Sequence, residues 1–350
     1  MFANKIFEKF PHNLTTKIGF PQLPFEKFLK YWVKRTVKQL ILHSIAMISV
    51  SILANNPVWE ENLTAFAQDA PFRITGRTAD YPLEKLLTAR CLQESDAVWI
   101  PEMTAHSIEA AILSLRRSRH VLLGFPIVDF QQQADQLVNL AREAHVEVQV
   151  GHHDRYHPAF RAVQNVLQKP QFIRLIHEKQ DLIMPGNDQI FLQHIIHDVD
   201  SILALVPEPL KKVQAHLSKI TSEIGRVFDI RMEFHNGTVA TINLSNLGLS
   251  EKRELEIIDY EQVFNLDMIK GESWAHKYYD SQPKKSRLWP ANGLLGIVNG
   301  TVDEESLTRE CVSFFQRKAQ NRKPLASIED GYEALQITEI ILKKIGVFSS

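Results

Sequence analysis

Between Ile45 and about residue 150 the chain alternates short apolar runs with helical ones, and this alternation constrains the fold more than any other feature. The runs "IAMISV", "FRITG", "AVWIP", "HVLLGFP" and "VEVQVG" have the length and apolar character of buried strands. Between them lie "VWEENLTAFAQ", "LEKLLTARC", "SIEAAILSLRRS" and "QQADQLVNLAREA", which read as helices. That βαβ rhythm predicts a parallel sheet covered by helices on both faces, with ligands at the carboxyl ends of its strands.

After Gly151 the rhythm changes. The helix "PAFRAVQNVLQ", the strand "QFIRLIHEK" and the helix "IFLQHIIHDVDSILALV" are followed mainly by strands. Of these, "RVFDIRMEF" and "TVATINLSNL" are joined through Asn236-Gly237, a strong hairpin signal. "RELEIIDY" and "QVFNLDMI" continue an antiparallel set, and Ser327 three residues before Asp330 marks the capped start of a last helix. The expected architecture is an α/β Rossmann-like parallel-sheet domain over 44–150. An α+β domain with a large, mostly antiparallel open sheet follows over 151–350, its C-terminal helix able to pack back on the first domain.

Residues 1–43 form a basic extension. The first forty residues hold eight Lys/Arg against Glu8 and Glu26, although the whole chain carries a formal charge of -1. That overall balance gives no drive toward nucleic acid. Phe25, Phe28, Leu29, Trp32, Val33 and Val37 recur at helical spacing with lysines mostly opposite, so an amphipathic helix is expected there. It reads as packed on the adjoining domain or as lying on a membrane surface. The following run "LILHSIAMISVSILA" reads as a buried strand, with a signal or anchor segment as the alternative; it is short for a spanning helix, which needs roughly 20 apolar residues. Cys91 and Cys311 show no metal or redox spacing, which fits a reducing, cytoplasmic compartment.

The turn after the first strand reads "SILANNP" and contains no glycine, although a dinucleotide's pyrophosphate normally needs glycines there. Ser51, Leu53 and Asn56 stand at the corresponding positions. Farther on, His194 and His197 are spaced i, i+3 with Asp198 and Asp200 beside them, and "GHHDRYHP" supplies His152, His153 and His157. Nothing in that spacing demands a metal. A His-Asp acid/base facing the cleft and histidines lining a domain interface both remain open.

The stretches "VEVQVGHHDRYHPAF", "HIIHDVDSILALV" and "LTRECVSFFQRKAQNRKPLASIEDGYEALQI" occur in the order found in the Gfo/Idh/MocA oxidoreductases, which include glucose-fructose oxidoreductase and inositol dehydrogenase. The chain resembles that family from about Ile45 to its C-terminus. The resemblance implies NAD or NADP as cofactor, a small sugar-type molecule as substrate and a homo-oligomer formed through the open sheet. It places His197 in the catalytic role and His152, Arg155 and Asp198 beside the substrate. Ser51, Asn56, Asp80, His106 and Pro126 fall on the cofactor side.

Departures are equally specific. Where the family has Glu-Lys-Pro after the fifth strand, this chain has Gly124, Phe125 and Pro126; the carboxylate one turn before the catalytic histidine is Gln193, and the ribose-binding acid falls near Ala79. These changes imply reduced cofactor affinity. Two functions follow from the resemblance: an oxidoreductase with eroded motifs, or a catalytically silent binding or scaffold protein.

Overall fold

A computed structural model describes residues 47–54, 72–78, 93–101, 106–124, 131–179, 188–220, 225–278, 286–289 and 302–346. The described residues all belong to one compact unit. The helix expected in the basic N-terminal extension and the residues Asn56, Ala79, Asp80, Cys91, Phe125 and Pro126 lie outside the described residues.

The first half contains β1 (Ile48–Leu53), β2 (Phe72–Thr78), β3 (Ala97–Ile100), α1 (Ser107–Arg116), β4 (His120–Leu123), α2 (Gln131–Ala144) and β5 (Val148–Val150). The five strands form a parallel sheet in the order β2-β1-β3-β4-β5. Every residue of β1 is buried, so the ambiguous apolar run contributes a central strand. Its side chains go to two cores, because a strand covered on both faces needs apolar residues at every position. Leu53 packs with Val98, Ile100 and Ile108 on one face. Val50 and Ile52 pack with Phe72, Trp99, Phe314 and Phe315 on the other. Because β1 sits between β2 and β3, the strand order reverses at its carboxyl end, where such folds open a ligand crevice.

From β5 the chain enters a 3-10 turn (His153–Tyr156), α3 (Pro158–Gln164), β6 (Phe172–Glu178), α4 (Asp188–Leu205), β7 (Leu210–Lys219), β8 (Arg226–Phe234) and β9 (Val239–Ser245). It continues through β10 (Lys252–Ile258), β11 (Gln262–Asp267), β12 (Glu272–Lys277), β13 (Ser286–Trp289), α5 (Val302–Ala319) and α6 (Ile328–Lys344). The eight described strands of this half are ordered β13-β12-β11-β10-β6-β9-β8-β7. Only β6 and β9 pair in parallel. The strands alternate cleanly: Ile173 and Leu175 join Ile230, Ile242, Leu255 and Ile257 under Ile195, Ile196 and Val199 of α4.

Two local signals are realised in the backbone. Gly237 adopts φ +89°, and the Asn236 side chain accepts from Thr238 N at 3.0 Å, closing the β8-β9 hairpin. Ser327 and Asp330 form a reciprocal capping box at the head of α6. That helix is shared between the cores: Ile328 belongs to the parallel-sheet core, whereas Ala334, Leu335 and Ile341 belong to the second sheet's core. Among the described residues, no helix is long and apolar enough to cross a membrane.

Candidate functional site

The carboxyl end of β5 delivers the 3-10 turn onto α4, and the contact is almost entirely polar. Tyr156 of this turn, Asp154 and Arg155 are buried, as are Asp198 and Asp200 of α4. Two further polar residues arrive from the second sheet by simple strand alternation. Arg253 precedes Leu255 and Ile257 on the core face of β10, and it pairs in register with His177, which follows Ile173 and Leu175 on the core face of β6.

A charged side chain on an apolar sheet face must find partners. Arg253 donates to Asp154 Oδ1 at 2.6 Å, to Asp154 Oδ2 at 2.5 Å and to Asp198 Oδ1 at 3.0 Å. His177 Nδ1 lies 2.9 Å from Asp198 Oδ2. A second guanidinium completes the cluster: Arg155 donates to Asp200 at 2.9 and 2.6 Å and to the Leu325 carbonyl at 3.0 Å, with Asp330 Oδ1 at 3.5 Å. Burial alone would raise the Asp154 carboxyl, but Arg253 outweighs it and holds the group well below the ordinary carboxylate range. Asp198 follows the same balance, with His177 and Arg253 overcoming burial.

His197 stands at the edge of this cluster. Burial, reinforced by neighbouring His153, keeps its imidazole well below its ordinary value and therefore neutral at neutral pH. The His153 and His197 rings meet edge to face with centroids 4.7 Å apart. Ligand atoms of His153, Asp154 and His197 lie within 4.8 Å of one another. The carboxylate in that set, Asp154, comes from the 3-10 turn and not from α4. His194, which faces His177 at 4.9 Å, is lowered to about 3 by burial and by that neighbour.

Beneath the turn lies Glu310 of α5, 1% exposed, accepting from His152 N at 3.0 Å and Gln149 Nε2 at 3.1 Å. Tyr156 donates its hydroxyl to Gln149 Oε1 at 2.9 Å, extending the network. Burial pushes Glu310 up to about 8 against the pull of those two donors.

The sequence expectations meet this geometry unevenly. His152, Arg155, His197 and Asp198 do converge. Arg155 and Asp198, however, are engaged by Asp200 and Arg253 respectively, so they build the site's frame instead of facing a ligand. His152 is fully enclosed, 3.4 Å from Asp200 Oδ2, with α6 closing over it at Gly331, where an added Cβ would sit 3.3 Å from His152 Nε2. Ser51 lies inside β1 with its hydroxyl 3.1 Å from Thr75 Oγ1, two strand residues, Ile52 and Leu53, short of the strand's end. Leu53, expected to block that turn, is instead the last residue of β1 and packs into the core with Ile108 of α1. His106 is exposed at the head of α1, 3.4 Å from Glu109.

Asp154, Arg253, His177, Glu310 and Gln149 were not singled out. Arg253 and His177 carried a usable signal, since each occupies a core-facing place in an alternating strand. Glu310 carried one too, lying between Ser306 and Phe314 on the buried stripe of α5. Asp154 carried none.

No family profile matches the chain. It is 25% identical over 238 residues to UDP-N-acetylglucosamine 3-dehydrogenase of Acidithiobacillus ferrooxidans, covering 66% of this chain and 72% of that one. It is 21% identical over 273 residues to 4-carboxy-2-hydroxymuconate-6-semialdehyde dehydrogenase of Sphingobium, covering 75% and 83%. The crystal structure of the Acidithiobacillus enzyme superposes with a TM-score of 0.69 at 18% identity, over 87% of this chain and 99% of that one. A levoglucosan dehydrogenase in complex with NADH and levoglucosan superposes with a TM-score of 0.70 at 15% identity, over 87% and 98%. The two-sheet architecture is therefore shared across nearly the whole described chain.

Proposed function

We propose that this chain, a divergent member of the Gfo/Idh/MocA-type dehydrogenases, is an oxidoreductase that oxidises or reduces a sugar-type hydroxyl with a nicotinamide dinucleotide. The observation carrying this reading is the His197 imidazole, neutral and beside the Asp154 carboxylate, at the carboxyl side of the parallel sheet. A neutral imidazole next to a fixed carboxylate can take a hydroxyl proton, and the carboxylate steadies the imidazolium that results. The dehydrogenase activity of the Acidithiobacillus relative and the NADH bound in the levoglucosan dehydrogenase of the same fold support the cofactor class.

Among the described residues, the groups at the sheet's carboxyl edge fit a dinucleotide. Ala54 and Gly124 follow β1 and β4 without bulk. A bound nicotinamide would supply the hydride acceptor. The chain's own contribution is to hold the alcohol and move its proton at His197, while Arg253 and His177 fix Asp154 and Asp198 from below. The same reading includes a homo-oligomer assembled on the uncovered face of the eight-stranded sheet, where Arg174 and Glu256 pair at 2.8 Å beside a groove that Trp274 helps to line.

The test is a screen of nucleotide sugars and free sugars with NAD+ and NADP+, read at the reduced-nicotinamide absorbance. A substrate should emerge, and His197→Asn should lower its kcat by about 10² to 10⁴. Unchanged kcat in the variant would remove His197 from the chemistry. A second reading, a silent binding or scaffold protein, is favoured by the glycine-free segment "SILANNP". It predicts no turnover in the same screen.

A further inference from the structure

We propose that His153, Asp154 and His197 bind one divalent transition-metal ion of borderline softness, with Zn2+ the ion this donor set suits best. The site does not depend on dinucleotide binding and is an alternative state of His197, because an imidazole that ligates an ion does not take a substrate proton. Two imidazoles and one carboxylate present ligand atoms within 4.8 Å of one another, and His153 Nε2 is already 3.7 Å from Asp154 Oδ1. Metal-ligand bonds of about 2.0–2.2 Å separate donors by up to about 4 Å, so sub-ångström movement closes the set. His153 can make that movement, since its side chain is 26% exposed.

Arg253 holds both Asp154 oxygens and Ser201 Oγ also donates to Oδ2 at 3.3 Å, so Oδ1 is the oxygen with a lone pair left for an ion. A ligating carboxylate fixed from behind by a hydrogen-bond donor is the usual outer support of a metal site. Nitrogen donors argue against Mg2+ and Ca2+, which prefer oxygen-only surroundings, and for Zn2+, Co2+ or Ni2+. Three protein ligands leave a coordination position for water or for the hydroxyl or carbonyl oxygen of a small molecule.

The experiment is a titration of the full chain, stripped with chelator and dialysed, with Zn2+ by calorimetry and with Co2+ by visible absorption, both without dinucleotide. One equivalent should bind saturably, with Co2+ giving ligand-field bands. His153→Ala and His197→Ala should each weaken binding at least about tenfold while keeping the wild-type circular dichroism. No saturable uptake, or uptake undiminished in either variant, would overturn the site. Because dinucleotide is absent, a negative result here leaves the oxidoreductase reading to its own test.

Discussion

Glu310 shows how far one enclosed side chain can bend the behaviour of the whole fold. It is neutral in the folded protein up to about pH 8 but ionises near 4.5 when exposed, so the stability it supplies is complete below 4.5 and is lost as pH rises to 8. His152, His194 and His197 act in the opposite sense, because burial lowers each: their contribution is present above 6.5 and lost on acidification. Between pH 6.5 and 8 the Glu310 contribution should fall by about 1–2 kcal/mol, offset in part by the end of the histidine titration in the unfolded chain. Glu310→Gln keeps an acceptor for His152 N and Gln149 Nε2 and should abolish that fall in urea titrations at the two pH values. Parallel curves for the two proteins would show that Glu310 is already ionised. At this scale the sequence was legible where a periodicity exposed an anomaly, as with Arg253 and His177. It was opaque at Asp154, because a residue in a 3-10 turn has no period from which its partner can be inferred.

The strand ends carry the next lesson. Gly124 closes β4 with its amide 2.6 Å from the Ile100 carbonyl, and a Cβ there would lie 2.0 Å from the Pro101 carbonyl oxygen. Read in sequence, Gly124 replaces a glutamate of the family loop; in space, β3 and β4 approach so closely that this backbone accepts no side chain. Gly124→Ala should therefore cost about 2–3 kcal/mol, measured by denaturant unfolding, as the two strands are forced apart. A loss below about 0.5 kcal/mol would mean the ends adjust freely. The strands β1, β3, β4, β6, β8 and β9 were readable because each buries apolar residues continuously or alternately. β7 was not: it is an edge strand in which only Val213 is fully buried, and Ala215 and Leu217 on the same face are only half-buried against the core, so its alternation is weak.

At the scale of the molecule, α6 ties the parts together, contributing Ile328 to one core and Leu335 and Ile341 to the other while Asp330 caps its head and approaches Arg155. Among the described residues no helix covers one face of the eight-stranded sheet, and sedimentation at micromolar concentration should find a dimer or larger species built on it. A species of one chain's mass would separate the uncovered face from self-assembly. The account turns on whether the crevice beside β1 still admits a nicotinamide dinucleotide and so gives His197 a reaction to serve. Calorimetric titration with NADH and NADPH decides it: saturable binding to one of them is predicted, with thermal stabilisation of about 1.4 kcal/mol at ten times the dissociation constant. Absence of saturable binding by either dinucleotide would contradict the oxidoreductase reading and leave a silent binding protein in its place.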